Sequence, residues 1–179
     1  MQKPQLLCIG HRGAMGHAPE NTLRSIRKAL ELGAPCVEVD VYWVDGRLVV
    51  FHDDRLERTT NGVGYLNAQT FEQLRALDAG DGERIPTLEE VCELIDARAC
   101  PNIELKGPGT AEPGARLPGT PTGARWGPNI LLSSSFTHPE LRAMRARQPA
   151  TRHDPCLGPL AGNPYRCVFH IDIVDIQGN

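Results

Sequence analysis

The sequence predicts a single α/β domain whose sheet is mainly parallel, either open or closed into a barrel. Short apolar runs that suit strands alternate with segments whose apolar residues follow helical spacing, and no internal repeat interrupts this order. The chain has 179 residues, of which 40% are hydrophobic and 23% are charged. Both the length and the composition are typical of one globular domain.

The first elements follow from apolar spacing. Residues 6–9 form an apolar run ended by glycine, which favours a buried strand, and residues 23–30 have helical spacing after a capping position. Apolar and polar residues alternate over 37–42, as in a strand. The turn signal Asp45-Gly46 leads into a further strand at 48–51.

The middle of the chain continues the alternation. Residues 70–77 suit a short helix, and a second helix runs from 87 to about 97. Thr87 and Glu90 have the spacing of a capping box, in which each side chain satisfies a backbone donor of the first helical turn. A strand is predicted at 103–106.

The last third of the chain is less regular. We predict a strand at 130–133, a helix at 139–147 with proline in its first turn, and a strand at 168–176. Residues 107–128 and 150–167 are rich in proline and glycine where an α/β order would place helices. Proline removes a backbone donor and breaks helices, so both stretches are predicted to be irregular.

Charge and cysteine usage exclude several classes. A net charge of −3 offers no basic field for nucleic acid. No apolar run is long enough for a membrane span or a signal peptide, so we expect no membrane anchor. The six cysteines form no CxxC pair, which argues against structural zinc and suits a reducing, cytoplasmic location.

Ionisable side chains cluster where the predicted strands end. Residues two apart in a strand share a face, and the carboxyl ends of parallel strands converge on one edge, where sites form. The residues concerned are His11, Arg12, Glu38, Asp40, His52, Glu104 and Lys106. Each motif alone has an ordinary explanation, such as a surface ion pair or turn chemistry. Their order along the chain, each at a strand end, favours a common site.

This cluster predicts a chemistry. Three facing carboxylates repel one another unless a cation lies between them, and oxygen ligands favour Mg²⁺ or Ca²⁺. Two histidines can divide general acid and general base work, while arginine and lysine suit a phosphate group. The residues therefore indicate metal-assisted attack on a phosphate ester.

The motifs also resemble those of the glycerophosphodiester phosphodiesterase family. The resemblance covers residues 6–107 and resumes at 132–136 and 139–142. The motifs that carry it are His11-Arg12-Gly13, Pro19-Glu20-Asn21-Thr22, Glu38-Val39-Asp40-Val41, His52-Asp53-Asp54, Leu56-Glu57-Arg58-Thr59-Thr60-Asn61-Gly62, Pro86-Thr87-Leu88 and Asn102-Ile103-Glu104-Leu105-Lys106.

The resemblance implies a TIM-type (β/α)₈ barrel that hydrolyses glycerophosphodiesters to sn-glycerol 3-phosphate and an alcohol. It implies that residues 53–81 form the family's small insertion beside the site. The roles it implies, by residue, are an acid–base pair of His11 and His52, one divalent cation, Mg²⁺ or Ca²⁺, held by Glu38, Asp40 and Glu104, and phosphate binding by Arg12 and Lys106.

The length departs from this family. A (β/α)₈ barrel usually takes about 250 residues, so 179 residues predict a barrel that is incomplete at its C-terminal end. Three other interpretations stay open: a degenerate homologue with little activity, another phosphodiesterase or phospholipase on the same barrel, and a metal- or phosphate-binding module without catalysis. Oligomeric state is not predicted.

Overall fold

The computed structural model of the chain describes residues 8–116, 132–135, 138–147, 149 and 152–155. Its strands are β1 (Ile9–Gly10), β2 (Cys36–Val44), β3 (Arg47–Val50), β4 (Cys100–Leu105), β5 (Leu132–Ser135) and β6 (Arg152–Pro155). Its helices are α1 (Leu23–Glu31), α2 (Phe71–Ala76), α3 (Leu88–Ile95), α4 (Ala111–Gly114) and α5 (His138–Arg147), with a 3-10 turn at Leu66–Ala68.

All the strands belong to one sheet. β1, β2, β4, β5 and β6 are parallel neighbours in that order, and β3 turns back to pair antiparallel with the second half of β2. The register sets Asp40 beside Glu104 and Glu38 beside Asn102 on adjacent strands. Because these strands run in the same direction, the residues that follow them meet at one edge of the sheet.

Alternation along β2 separates a packing face from a polar face. Val37, Val39 and Val41 are fully buried in the main core, where they pack with apolar residues of helices α1 and α3 such as Ile26 and Val91. The residues between them, Glu38 and Asp40, therefore face the other side of the sheet. Truncating one of the large buried aliphatic residues to alanine costs about 2–5 kcal/mol of unfolding free energy.

A second apolar cluster lies under residues 53–81. Phe51 and the hairpin residues Val44 and Val49 pack against residues of this segment, including Leu56 and Leu74. The segment thereby has its own buried contacts with the β2–β3 hairpin. It lies next to the C-terminal end of β3, where His52 follows.

The helices begin where the cap residues predict. Threonine is the N-cap of α1, α2 and α3, and each one forms a complete capping box, worth about 1 kcal/mol. The pairs are Thr22 with Ser25, Thr70 with Gln73, and Thr87 with Glu90. Helix α3 ends at Ile95, two residues before the predicted end, because Asp96 takes a left-handed conformation with φ of 45°.

The C-terminal third contains the predicted helix, as α5, and a strand that overlaps the predicted one, as β5, but it differs from the prediction in two other places. Residues 152–155, predicted to belong to an irregular stretch, form strand β6 because the free edge of β5 offers backbone partners and Pro155 lies at the strand's last position. Residues 111–114, also in a stretch predicted to be irregular, form the single turn α4. The predicted strand at 168–176 and residues 117–128, 150–151 and 156–167 of the proline-rich stretches lie outside the described residues.

Within the residues described, no helix combines the length and apolar character that crossing a bilayer demands.

Candidate active site

The loop after β1 brings backbone donors to the site. Arg12 and Gly13 both have positive φ, 50° and 80°, so the chain folds back at once after the strand. The Arg12 amide donates to Glu38 Oε2 at 2.8 Å, and the Gly13 amide donates to the Glu38 carbonyl at 3.2 Å. A Cβ at position 13 would lie 2.4 Å from Ser25 Oγ, so only glycine fits this approach to helix α1.

Glu38, Asp40 and Glu104 form a compact acidic group. One carboxylate oxygen from each lies within 4.8 Å of the other two, and all three side chains are buried. The sheet builds this group, because Glu38 and Asp40 share a face of β2 and the register sets Glu104 of β4 beside Asp40. The structure thus brings together the three residues predicted as metal ligands.

Two features of the acidic group indicate that it can hold a cation. Burial, with the negative charge of Asp40, raises the pKa of Glu38 well above its usual range. Glu38 Oε1 is a buried oxygen without a hydrogen-bond partner among the described residues. Buried oxygens are rarely left in this state, so an unpartnered oxygen in an all-carboxylate group fits a hard divalent cation such as Mg²⁺ or Ca²⁺.

Two cationic side chains border the acidic group. Lys106 Nζ lies 2.9 Å from Glu104 Oε1 and 3.6 Å from Asp40 Oδ1, and Arg12 Nε lies 3.5 Å from Asp40 Oδ2. Burial alone would lower the pKa of Lys106, but the charges of Asp40 and Glu104 outweigh it, so the pKa is raised. Both cations keep about 15% of their side-chain surface exposed, which leaves them accessible to an anion.

The two predicted histidines follow different strands. His11 comes directly after β1, and its Nε2 lies 4.0 Å from Glu38 Oε2. His52 follows β3 and Phe51, and its Nδ1 lies 2.5 Å from Asp53 Oδ1. Both side chains are partly exposed, at 22% and 29%. A substrate could therefore reach either imidazole.

Asn21 holds the acidic group in place, a role that sequence reasoning missed. Its side-chain amide donates to Asp40 Oδ2 at 3.0 Å, and its Oδ1 accepts from the Asp40 amide at 3.4 Å. From the sequence, Asn21 or Thr22 is expected to cap helix α1, and Asn21 belongs to a motif of the resemblance, but neither observation predicts a contact with Asp40. The only signal in the sequence was the residue type, because asparagine tolerates a positive φ better than most residues do, and the φ of Asn21 is 57°.

Glu20 and Arg58 also lie at this site, although no role of their own is predicted for them from the sequence. Glu20 accepts a hydrogen bond from Arg12 Nη1 at 2.8 Å and one from each terminal nitrogen of Arg58 at 2.7 Å. The two residues are 38 positions apart, so no local spacing could have paired them.

This fold and site define an α/β protein with a mainly parallel sheet and an acidic centre, bordered by cations and histidines, near the carboxyl ends of its parallel strands. The profile of the glycerophosphoryl diester phosphodiesterase family matches residues 11–158, and the chain belongs to that family. Over 154 residues it is 41% identical to a glycerophosphodiester phosphodiesterase of Caldanaerobacter subterraneus subsp. tengcongensis, covering 80% of this chain and 63% of the relative.

Solved structures agree. The glycerophosphodiester phosphodiesterase of Agrobacterium tumefaciens matches with a TM-score of 0.74 at 32% identity, covering 83% of this chain and 66% of that one. A phosphodiesterase of Oleispira antarctica in complex with the product sn-glycerol-3-phosphate matches with a TM-score of 0.73 at 36% identity, covering 83% and 64%. These matches confirm the predicted α/β class of TIM-type barrel. The chain spans roughly two thirds of the length of these relatives.

Proposed function

We propose that this chain hydrolyses glycerophosphodiesters to sn-glycerol 3-phosphate and an alcohol. The observation that carries the proposal is the buried group of Glu38, Asp40 and Glu104, bordered by Arg12 and Lys106 at the carboxyl ends of parallel strands. A relative solved with sn-glycerol-3-phosphate supports the same class of product.

We assign Glu38, Asp40 and Glu104 as ligands of one divalent cation, Mg²⁺ or Ca²⁺. The unpartnered Glu38 Oε1 and the all-oxygen donor set support this assignment. When bound, such an ion supplies Lewis-acid stabilisation of the charge on the phosphate oxygens.

Arg12 and Lys106 bind the phosphate in this proposal. Each lies within 4 Å of an acidic ligand, so a phosphate that contacts these cations also lies close to the acidic group. The pairing with carboxylates keeps both cations in place before substrate arrives. Preorganised charge of this kind stabilises a transition state without further rearrangement.

His11 and His52 carry the protons. One imidazole accepts a proton from the attacking water or from a glycerol hydroxyl as the new P–O bond forms. If the glycerol hydroxyl attacks, a cyclic phosphate forms, and water opens it in a second step that uses the same two imidazoles in the opposite roles. The other donates its proton to the leaving alkoxide as the old P–O bond breaks, and the two exchange protons with solvent to restore the starting state. Either histidine can take either role in this scheme.

The proposed partner is a small glycerophosphodiester and not nucleic acid. The net charge of −3 supports the exclusion of nucleic acid. Among the described residues, Cys8, Cys36, Cys92 and Cys100 are free thiols, which supports a reducing, cytoplasmic location.

Histidine variants test the proposed function. His11→Ala and His52→Ala are each expected to lower turnover of glycerophosphocholine by at least about 100-fold, since each removes one proton transfer. His17→Ala is the matched control, because His17 is exposed on the same loop and has no role in the scheme. Near-normal turnover in either of the first two variants would contradict the assignment. Cleavage of lysophosphatidylcholine but not of glycerophosphocholine would favour a phospholipase instead.

A further inference from the structure

A chain of ion pairs joins His52 to Arg12 across the site. His52 Nδ1 contacts Asp53, Asp53 contacts Arg58, Arg58 contacts Glu20, and Glu20 contacts Arg12, with each closest pair of atoms between 2.5 and 2.8 Å apart. We propose that Arg58, acting through Asp53 and Glu20, is a positioning residue that holds His52 and Arg12 in their working orientations. This inference rests on the proposed function.

At the His52 end, the contact fixes the imidazole tautomer. Asp53 is ionised, because hydrogen bonds from Arg58 lower its pKa to about 2. An ionised carboxylate can only accept, so His52 Nδ1 must carry the hydrogen that it donates to Asp53 Oδ1. Nε2 is then the nitrogen left to exchange a proton with substrate.

In the middle of this chain of ion pairs, Arg58 orients the carboxylates of Glu20 and Asp53 at once. Its Nη1 and Nη2 donate to the two oxygens of Glu20 at 2.7 Å, and its Nε and Nη2 donate to the two oxygens of Asp53 at 2.5 and 3.0 Å. A planar guanidinium that meets two carboxylates in pairs fixes their angles as well as their distances. Lysine, with one point charge, could not do this.

At the Arg12 end, Glu20 turns the guanidinium. Glu20 Oε1 accepts from Arg12 Nη1 at 2.8 Å, while Arg12 Nε faces Asp40. Burial would raise the pKa of Glu20, but hydrogen bonds from Arg58 and Arg12 lower it, so Glu20 stays ionised. Without Glu20, only the Asp40 side would attract the Arg12 side chain, and we expect it to move towards the acidic group.

Because the Arg58 side chain is exposed, its effect on the site can be tested without a large effect on stability. The Arg58 side chain is 47% exposed, and surface ion pairs contribute little to stability, with a median near 0–1 kcal/mol. Removing Arg58 should therefore leave the fold intact, while His52 and Arg12 lose the contacts that hold their orientations. Arg55 gives a matched control: it lies in the same segment, is also about half exposed and pairs with Glu57 at 2.6 Å, but it is outside the chain of contacts.

The two ends of the chain of contacts predict different kinetics. Asp53→Ala should lower kcat by about 10–100-fold with little change in KM, because it misplaces a proton-transfer group, while Glu20→Ala should mainly raise KM. Arg58→Ala should do both, and Arg58→Lys should restore only part. Arg55→Ala should stay within about twofold of the parent chain, and the Tm of Arg58→Ala within a few degrees.

Non-additivity completes the kinetic test. In the Asp53→Ala background, Arg58→Ala should lower kcat much less than it does alone, because it acts through Asp53. Fully additive effects on kcat, or an Arg58→Ala enzyme as active as Arg55→Ala, would overturn the proposal.

A spectroscopic measurement of the His52 tautomer tests whether Arg58 orients this side chain, and it does not depend on enzymatic activity. The ¹⁵N spectrum of the His52 side chain at pH 8 should show the proton on Nδ1 alone in the parent chain and in Arg55→Ala, and both tautomers in Arg58→Ala. An unchanged His52 pattern in Arg58→Ala overturns the proposal. A parent chain without hydrolytic activity would instead contradict the proposed function, and this spectrum would still show whether Arg58 orients His52.

Discussion

Replacing Glu38 by glutamine should stabilise the metal-free protein, although it removes a side chain that we assign to the active site. Glu38 is buried within 4.8 Å of two other carboxylates, and its Oε1 has no hydrogen-bond partner in the part of the chain that the structure describes. Glutamine has nearly the same shape as glutamate and removes the charge of Glu38 from this group. The Arg12 amide, 2.8 Å from Oε2, would keep a carbonyl acceptor.

The magnitude follows from the separation of the charges. At a pH above the raised pKa of Glu38, where its carboxylate is ionised, two unit charges 4.8 Å apart repel by about 3.5 kcal/mol at an effective dielectric constant of about 20. Arg12 and Lys106 offset part of this repulsion, so we expect a net gain of about 1–3 kcal/mol. For a chain of this size, that corresponds to a Tm increase of about 3–9 °C in the presence of EDTA.

Thermal unfolding with and without metal is the assay. At a cation concentration of about 100 times Kd, binding stabilises the parent chain by about 2.7 kcal/mol, so Mg²⁺ or Ca²⁺ should raise its Tm by several degrees. The glutamine variant should lose most of this increase and most of its activity. The isosteric Glu31→Gln, on the exposed face of helix α1, is the control. A Glu38→Gln variant that melts lower than the parent in EDTA would refute the reasoning, as would a parent chain that neither cation stabilises.

Three further outcomes test the surroundings of the site. Gly13→Ala should lower the unfolding free energy by about 2–4 kcal/mol in a urea titration, because its Cβ would clash with Ser25 and its φ is positive. A loss below about 0.5 kcal/mol would contradict this close approach. Asn21→Asp should lower the Tm in EDTA and enlarge its rise with metal, because it puts a fourth carboxylate beside Asp40, and an unchanged Tm would count against that contact. The pKa of Asp53 is lowered from 3.8 to about 2, so its stabilisation is present above pH 3.8 and lost as the pH falls through 2. The stability difference between the parent and Asp53→Asn, about 1 kcal/mol at pH 6 after allowance for solvent screening, should therefore shrink by pH 3, and a constant difference would contradict the pairing.

The sequence predicted the acidic group because each of its residues lies in a recognisable pattern near the end of a predicted strand. Alternation along β2 puts Glu38 and Asp40 on one face, and parallel pairing brings the matching residue of the neighbouring strand beside them. Threonine caps likewise predicted the start of helix α3, since a capping box involves only four consecutive residues. The Glu38–Asp40 pair and the capping box are thus each encoded within four consecutive residues, whereas Glu104, 64 positions beyond Asp40, was predicted from its own place near a strand end and from the resemblance.

The contacts that the sequence did not predict depend on tertiary structure. Arg58 meets Glu20 only because the segment 53–81 folds back over the loop before helix α1. Strand β6 forms because the edge of β5 is available, which outweighs the poor strand propensity of a stretch that contains Pro155. In both cases, the partner lies many residues away, and a pattern read along the chain contains no information about it.

Metal-dependent release of sn-glycerol 3-phosphate from glycerophosphocholine by the purified chain tests the central claim most directly. We predict that the chain releases the product with Mg²⁺ or Ca²⁺, loses this activity in EDTA and regains it when the cation is restored. The His52→Ala chain should stay inactive throughout. Full activity in EDTA would contradict the role of Glu38, Asp40 and Glu104 as metal ligands. A folded parent chain that releases no product under any of these conditions would contradict the proposed function.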